Sequence, residues 1–170
     1  MKPEPLFIVI FCFALILIIL YLVTVQIKKK DKQKIENKIK ETISEANIAY
    51  SKKPIQMQVE TEKNIFLIKI VNFNFRHELI LTNKTYWCIN STPKNWKRSE
   101  VPNLIKGSKD FLDFQINSTK KVIKVVLLYP DCYNITWHIN ESDVEVVTYQ
   151  KAIFGIFFVR FNDLSLFLRK

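Results

Sequence analysis

An uninterrupted apolar segment near the N-terminus constrains this chain more than any other feature. Residues 6–25 contain no charged residue, no Pro and no Gly. At about 1.5 Å per residue, a helix of this length spans about 30 Å, the thickness of a bilayer's hydrocarbon core. A cleaved signal peptide has an apolar stretch of only about 7 to 15 residues. We therefore expect an uncleaved transmembrane signal anchor at residues 6–27, preceded by a short cytoplasmic tail at residues 1–5.

The remaining length leaves room for one folded domain of ordinary size. The chain has 170 residues, of which only two are Gly. Glycine-rich loops that hold phosphate groups or dinucleotides need several glycines at fixed spacing, so sites of that class are excluded and we expect no cofactor. The net charge of +10 comes without a nucleic-acid-binding motif, so we expect no nucleic acid as a partner.

Two signals disagree about which side of the membrane holds the domain. Nine lysines and four acidic residues lie within residues 28–53, directly after the apolar segment. The positive-inside rule, taken alone, places that flank and the domain in the cytosol. Asn-x-Ser/Thr triplets, which accept N-linked sugar in secreted proteins, indicate the opposite orientation.

Five acceptor triplets lie in the predicted domain, whereas composition alone predicts about 1.3 in a chain with this content of Asn, Ser and Thr. None of the five has Pro at the middle position, and four end in Thr. This excess favours a type II arrangement, with the domain in the lumen of the secretory pathway (ER) or outside the plasma membrane. The triplets begin at Asn83, Asn90, Asn117, Asn134 and Asn140.

The cysteine content agrees with that orientation. Apart from Cys12 in the apolar segment, the chain has two cysteines, Cys88 and Cys132. An even number of cysteines far apart in sequence is what an intradomain disulfide in an oxidising compartment requires. We predict a disulfide between Cys88 and Cys132 that joins neighbouring strand ends at one edge of the domain. Two unpaired buried thiols are the alternative.

Residues 28–53 have the composition of a polar helix. They contain no Pro or Gly and are rich in helix-forming residues, with Ile35, Ile39 and Ala46 along one weak apolar stripe. Pro54 then ends the pattern. We predict a helical stalk at residues 28–53, followed by a lumenal or extracellular domain at residues 54–170.

The apolar pattern changes to a period of two after Pro54. Short β-branched and aromatic runs follow, and most are separated by residues typical of turns. No helical period lies between them, so the sequence predicts a mainly β domain, an antiparallel two-layer β-sandwich. The spacing of Cys and Trp does not fit the immunoglobulin pattern. The runs lie at 55–61, 64–71, 77–82, 85–89, 110–116, 122–129, 134–139, 144–149, 152–161 and 164–170.

The sequence contains no signature of catalysis or metal binding. The two histidines, His77 and His138, form no i, i+4 pair and stand apart from any Cys-x-x-Cys. Asp110 and Asp113 fall on opposite faces of the strand predicted at 110–116, so a paired-carboxylate site is not expected. No Gly-x-Ser-x-Gly motif occurs. We therefore expect no metal and no enzymatic activity.

The last nineteen residues are rich in aromatic side chains. We predict a hairpin there, with Asn162 and Asp163 at its tip. One interpretation is a central strand buried on both faces, and the other is an exposed surface for a partner protein. The aromatic residues are Phe154, Phe157, Phe158, Phe161 and Phe167.

These patterns favour recognition between proteins at a membrane. We expect an integral membrane glycoprotein without catalytic activity, which contacts other membrane or surface proteins as an accessory subunit, adhesion module or receptor. The loop at residues 90–108 and the C-terminal hairpin are the candidate contact regions. The alternative is a membrane-tethered cytosolic or bacterial scaffold protein, in which the triplets are accidents of an Asn-rich composition.

Overall fold

The computed structural model describes residues 5–51, 53–73, 76–91, 103–140 and 142–169. The chain divides into two compact units, one ending at Lys38 and one that begins at Ile39 and contains the strands. The described helices are α1 (Pro5–Thr42), α2 (Ser108–Asp113) and α3 (Leu164–Leu168), and a short 3-10 helix at Phe161–Asp163 precedes α3. The described strands are β1 (Asn47–Tyr50), β2 (Met57–Glu60), β3 (Asn64–Asn72), β4 (His77–Leu81), β5 (Trp87–Ser91), β6 (Asn103–Leu104), β7 (Lys121–Tyr129), β8 (Asn134–His138), β9 (Val144–Val146), β10 (Ala152–Ile153) and β11 (Ile156–Arg160).

Helix α1 contains the apolar segment. It is the one helix among the described residues that is long and apolar enough to cross a membrane. Its side chains from Val9 to Lys30 are all exposed. An apolar helix surface of this length is stable in lipid rather than in water, and all backbone groups of a helix are satisfied within it. The sequence-based expectation of an apolar helix able to span a bilayer is therefore confirmed.

The predicted stalk is wrong in its second half. Helix α1 ends at Thr42, and Asn47–Tyr50 form strand β1 where the prediction continued the helix to residue 53. Strand β1 pairs antiparallel with β2, and Ile48 lies opposite Val59. The apolar stripe of the predicted helix is weak, so backbone pairing with an existing sheet outweighs the helical preference of these residues.

The strands form two mixed sheets. The six-stranded sheet has the order β1-β2-β3-β7-β11-β10, and the five-stranded sheet has the order β6-β5-β4-β8-β9. The expectation of β-sheets after an apolar helix is confirmed, but the expectation of purely antiparallel pairing is wrong. Strands β3, β7 and β11 run parallel to one another, and β4 runs parallel to β8.

Parallel pairing arises because the chain alternates between the two sheets. Between β3 and β7 it builds β4, β5 and β6 of the five-stranded sheet, and between β7 and β11 it builds β8 and β9. A parallel pair needs a long crossover connection, which is usually a helix. Here the strands of the other sheet make up most of that connection, so no long helix is needed.

One hydrophobic cluster, here called the shared core, contains residues of both sheets. The six-stranded sheet contributes residues such as Leu67 and Phe158, and the five-stranded sheet contributes residues such as Leu79 and Trp87. The rings of Trp87 and Phe158 meet edge to face, with centroids 5.1 Å apart. Both of these side chains are fully buried. Each sheet therefore has one face on the shared core.

The six-stranded sheet is buried on its second face as well. Phe66 alternates with the core residues of β3 and contacts Phe167 of α3, with ring centroids 6.0 Å apart. Phe157 of β11 contacts the same ring at 5.1 Å. Val125 and Leu127 of β7 are fully buried. Burial of parallel strands on both faces is the usual arrangement, since their apolar runs are nearly continuous.

Two runs predicted as strands are helical. Residues 108–113 form α2, and residues 164–168 form α3, so the predicted C-terminal hairpin is wrong. Leu164, Phe167 and Leu168 recur at helical spacing and are all buried. This spacing places them on one side of α3, and Phe167 on that side contacts the six-stranded sheet.

Candidate functional site

The five-stranded sheet has a second face, opposite the shared core, which we call the outer face. Leu79, Leu81 and Trp87 point into the shared core. Side chains alternate along a strand, so Glu78 and Ile80 of β4 point the other way. Residues paired with them across the sheet lie on the same face. One such row is Asn90, Glu78 and Asn134, and the next is Leu104, Cys88, Ile80, Thr136 and Val146.

Two of the five acceptor asparagines lie side by side on the outer face. Asn90 of β5 and Asn134 of β8 flank Glu78 of β4. Adjacent strands are about 4.8 Å apart, so the two asparagine Cα atoms are separated by about 10 Å. Asn90 is exposed and Asn134 is half-buried. The hydroxyl of Thr136, the third residue of the Asn134 triplet, donates a hydrogen bond of 3.0 Å to Glu78.

Asn83 and Asn140 occupy two turns of the same construction. The Asn83 side-chain oxygen accepts hydrogen bonds from the backbone and hydroxyl of Thr85 and from the backbone of Tyr86. The Asn140 oxygen accepts the equivalent three bonds from Ser142 and Asp143. Such Asx turns explain why Asn is found at these positions. Both asparagines are exposed, one between β4 and β5 and the other between β8 and β9.

Asn117 is the remaining acceptor, and it is exposed between α2 and β7. The structure therefore brings four of the five predicted acceptors to the five-stranded sheet and its turns. Three of those four are exposed and Asn134 is half-buried.

The predicted disulfide is absent from this structure. Cys88 and Cys132 are both free and buried. Cys88 lies opposite Ile80 on one side of β4, whereas Tyr133, next to Cys132, donates its backbone N–H to His77 on the other side. These two positions are separated by two strand spacings across the sheet and by three residues along β4. Cys88 and Cys132 are therefore more than about 10 Å apart. A disulfide needs Cα atoms within about 7 Å, so the prediction is wrong.

Burial also makes both thiols unreactive. Desolvation raises the pKa of Cys88, and a hydrogen bond with the Tyr86 side chain opposes this in part. Desolvation, followed by the charge of Asp131, raises the pKa of Cys132 to about 12. Nucleophilic and metal-binding cysteines act as thiolates. At neutral pH both thiols are protonated and behave as small apolar side chains.

The C-terminal aromatic residues do not form an exposed surface. Phe158 and Phe167 are buried, and Phe154, Phe157 and Phe161 are half-buried. Each of the five has an aromatic neighbour at ring-centroid distances of 5.0–6.0 Å. The alternative interpretation, burial, therefore describes Phe158 and Phe167, while the other three residues are only partly accessible.

Exposed apolar residues lie instead at edge strand β9, which the sequence analysis did not single out as a contact region. Val144 is 52% exposed and Val146 is 58% exposed. Among the described strands β9 pairs only with β8, and its other edge, which has no neighbour in the described part of the chain, is here called the open edge. Val147 donates its backbone N–H to Ile135 next to β9. Because such bonds alternate along an antiparallel pair, Val144 and Val146 direct their backbone groups towards the open edge.

A small cluster on the core side of β9 fixes this strand. The Lys151 ammonium contacts both carboxylate oxygens of Glu145 at 2.7 Å. It also lies 5.3 Å from the ring centroid of Trp137. Trp137 in turn meets Phe154 edge to face at 5.9 Å. An exposed ion pair contributes little alone, but together with the ring contacts it defines the position of Glu145 and hence of the valines on either side.

The other sequence-based candidates are dispersed. His77 and His138 are half-buried at opposite ends of β4 and β8. The described residues contain no group of three or more His, Cys, Asp or Glu that could hold a metal ion. Most of the predicted contact loop at 90–108 lies outside the described residues, which resume at β6.

Comparison with protein-family models, with curated proteins and with solved structures finds no significant match in any of the three.

Proposed function

We propose that the chain is a single-pass type II membrane glycoprotein whose β domain recognises another membrane or surface protein without catalysis. Helix α1 serves as the signal anchor, and the domain lies in the secretory lumen or outside the cell. The domain is a two-layer sandwich of the two sheets in this proposal. The contact of Trp87 with Phe158 across the shared core supports that arrangement.

The observation that carries the proposal is where the acceptor triplets fall in the fold. The six-stranded sheet also contains asparagines, namely Asn47, Asn64 and Asn72, yet none of them begins an acceptor triplet. Four of the five triplets begin on the five-stranded sheet or its turns. Composition alone predicts about 1.3 triplets in the whole chain, so four at one sheet exceed what accident provides. N-linked sugar requires surface positions, and Asn83, Asn90 and Asn140 are exposed.

The open edge of β9 is the contact surface in this proposal. An extended segment of the partner adds to β9 as a further strand and bonds to the outward backbone groups of Val144 and Val146. Apolar side chains of that segment cover the two exposed valines. Unprotected edge strands of this kind pair readily with other chains, so a natural partner for β9 also removes a liability to aggregation.

Gel mobility before and after enzymatic removal of N-linked sugar tests the proposal. The full chain is expressed in eukaryotic cells, together with single Asn→Gln variants at the five acceptors. We expect a shift on deglycosylation, and loss of one step of that shift in Asn83→Gln and Asn90→Gln. Asn72→Gln is the matched control, since Asn72 is an exposed asparagine outside any triplet. An unshifted wild-type band contradicts the proposal.

The second candidate function is a membrane-tethered cytosolic or bacterial scaffold. The free and widely separated cysteines favour it, because they need no oxidising compartment. The lysines that follow the apolar segment favour it as well. Protease protection in sealed membrane vesicles distinguishes the two candidates. The type II arrangement protects the domain from added protease until detergent is present, and the cytosolic arrangement leaves it accessible.

A further inference from the structure

Lys69 is a charged residue on the core side of a central strand. It lies on β3 between Leu67 and Val71, which both point into the shared core. Side chains two apart on a strand share a face, so Lys69 points the same way. Only 5% of the residue is exposed. A buried ammonium destabilises a fold unless a partner compensates for its lost hydration.

The fold compensates for the Lys69 charge only in part. A Cβ placed on Gly107 would lie 3.5 Å from the Lys69 ammonium nitrogen and 3.7 Å from a carboxylate oxygen of Asp110, which places the acid nearby. No salt bridge to Lys69 is present in the described part of the chain. Desolvation lowers the pKa of Lys69, the charge of Lys53 lowers it further, and Asp110 opposes both effects.

A cavity of about 440 Å³ opens beside this ammonium. Lys53, Lys69 and Lys106 line it together with one acid, Asp110, so the lining has a net charge of +2 when all four groups are ionised. The remaining lining includes the apolar residues Val71, Ile89 and Ile105, which belong to the shared core or pack against it. The cavity thus combines a doubly positive rim with an apolar wall.

We propose that this cavity, here called the lysine pocket, binds a phosphate monoester whose ester group is apolar. Lysine ammonium groups are compact charges that bind phosphate oxygens without the planar geometry that arginine requires. A dianionic phosphate matches the net charge of the lining. Its oxygens replace the water that Lys69 loses on folding, and the ester group contacts Val71 and Ile105. This site is separate from the β9 edge and independent of its role.

Titration calorimetry of the full chain in a nonionic detergent tests the proposal, with octyl phosphate as the probe and octanol and inorganic phosphate as references. Octyl phosphate should bind more tightly than either reference, because only it uses both the rim and the apolar wall. Lys69→Met should weaken binding by about tenfold or more, the usual effect of losing a hydrogen bond to a charged group. Lys106→Ala should weaken it less, since Lys106 is exposed. Lys109→Met, a neighbouring exposed lysine outside the pocket, should leave the affinity unchanged.

The pH dependence of binding gives an independent readout. A dianion binds the protonated form of Lys69, so the affinity should fall as pH rises through the lowered pKa of this residue. Lys53, Lys106 and Asp110, the other charged groups facing the pocket, are retained in Lys69→Met. That variant should therefore lose the part of the pH dependence that Lys69 causes.

Competition experiments can identify the source of the phosphate, and two outcomes would contradict the proposal. Nanodiscs with and without phosphatidic acid, added in competition with octyl phosphate, show whether a lipid headgroup or a soluble ester occupies the pocket, and either source supports the proposal. Equal binding of octanol and octyl phosphate overturns it, and so does wild-type affinity in both Lys69→Met and Lys106→Ala. Near-ultraviolet circular dichroism identifies a variant that has failed to fold, in which case the other variant decides the outcome.

Discussion

The two sheets differ in what their second faces do. The six-stranded sheet is covered on one face by the shared core and on the other by α3, so residues such as Val125 and Leu127 are fully buried. The five-stranded sheet has its outer face exposed at Asn90 and Val146. Its strands also carry a smaller share of the buried apolar residues. The comparison shows that the six-stranded sheet is buried on both faces, whereas the five-stranded sheet has exposed positions on its outer face beside the buried Cys88 and Thr136.

The largest expected effect is at the contact between the two sheets. Phe158→Ala should lower the free energy of unfolding by about 3–5 kcal/mol, because it removes a fully buried ring against Trp87 and leaves a cavity. Urea unfolding followed by near-ultraviolet circular dichroism measures the change.

Leu166→Ala is the matched control for that variant. Leu166 lies in the same C-terminal region but is 53% exposed, so its loss should change the free energy of unfolding by less than about 0.5 kcal/mol. Equal effects of the two variants would show that burial does not distinguish the two positions. They would also revive the interpretation of Phe158 as a surface residue.

Much of the strand content was predictable from the sequence, but the pairing was not. The alternating and continuous apolar runs of β3, β4, β7 and β8 match the predicted runs closely. Their parallel pairing depends on how the chain moves between the sheets, which is a property of the whole fold. The same is true of Cys88 and Cys132, because only the register on β4 shows that they lie too far apart.

Other features that were not predicted correctly do have a signal in the sequence, but a competing pattern outweighs it. The spacing of Leu164, Phe167 and Leu168 fits one side of a helix, although the surrounding aromatic residues favour a strand. Lys69 occupies a core position in a predicted strand, and its alternation with Leu67 and Val71 could have identified it as a buried charge. The open edge of β9 had no such signal, because a sequence does not show which strands lack a second neighbour.

An intermediate effect is expected on the outer face. Thr136→Val should lower the free energy of unfolding by about 1 kcal/mol, since it removes the hydroxyl that bonds to Glu78 at a buried position. Unglycosylated protein from bacteria must be used, because this change also destroys the Asn134 triplet. Thermal unfolding of the purified chain measures the difference.

Glu78→Gln provides the control for Thr136→Val. It removes a charge but retains a carbonyl oxygen that accepts the Thr136 hydroxyl, so its effect on stability should be the smaller of the two. If the double variant loses as much stability as the two single changes added together, the two side chains do not interact. The outer face would then contribute nothing to stability through this pair. The difference between the two sheets in their contribution to stability would be larger.

The smallest effect on stability is expected at the open edge, where Val146→Lys should change the free energy of unfolding by less than about 0.5 kcal/mol, because Val146 is 58% exposed. The same change should prevent strand addition, since lysine on an edge strand opposes pairing with another chain. A photo-crosslinking residue at position 144 measures contact between β9 and a partner in intact cells. We expect a crosslinked product that is lost in Val146→Lys and retained in Leu166→Lys, which adds the same charge away from β9. If Val146→Lys lowers the free energy of unfolding by much more than about 0.5 kcal/mol, Val146 is covered within the protein itself. In that case the five-stranded sheet would, like the six-stranded one, serve mainly to stabilise the fold.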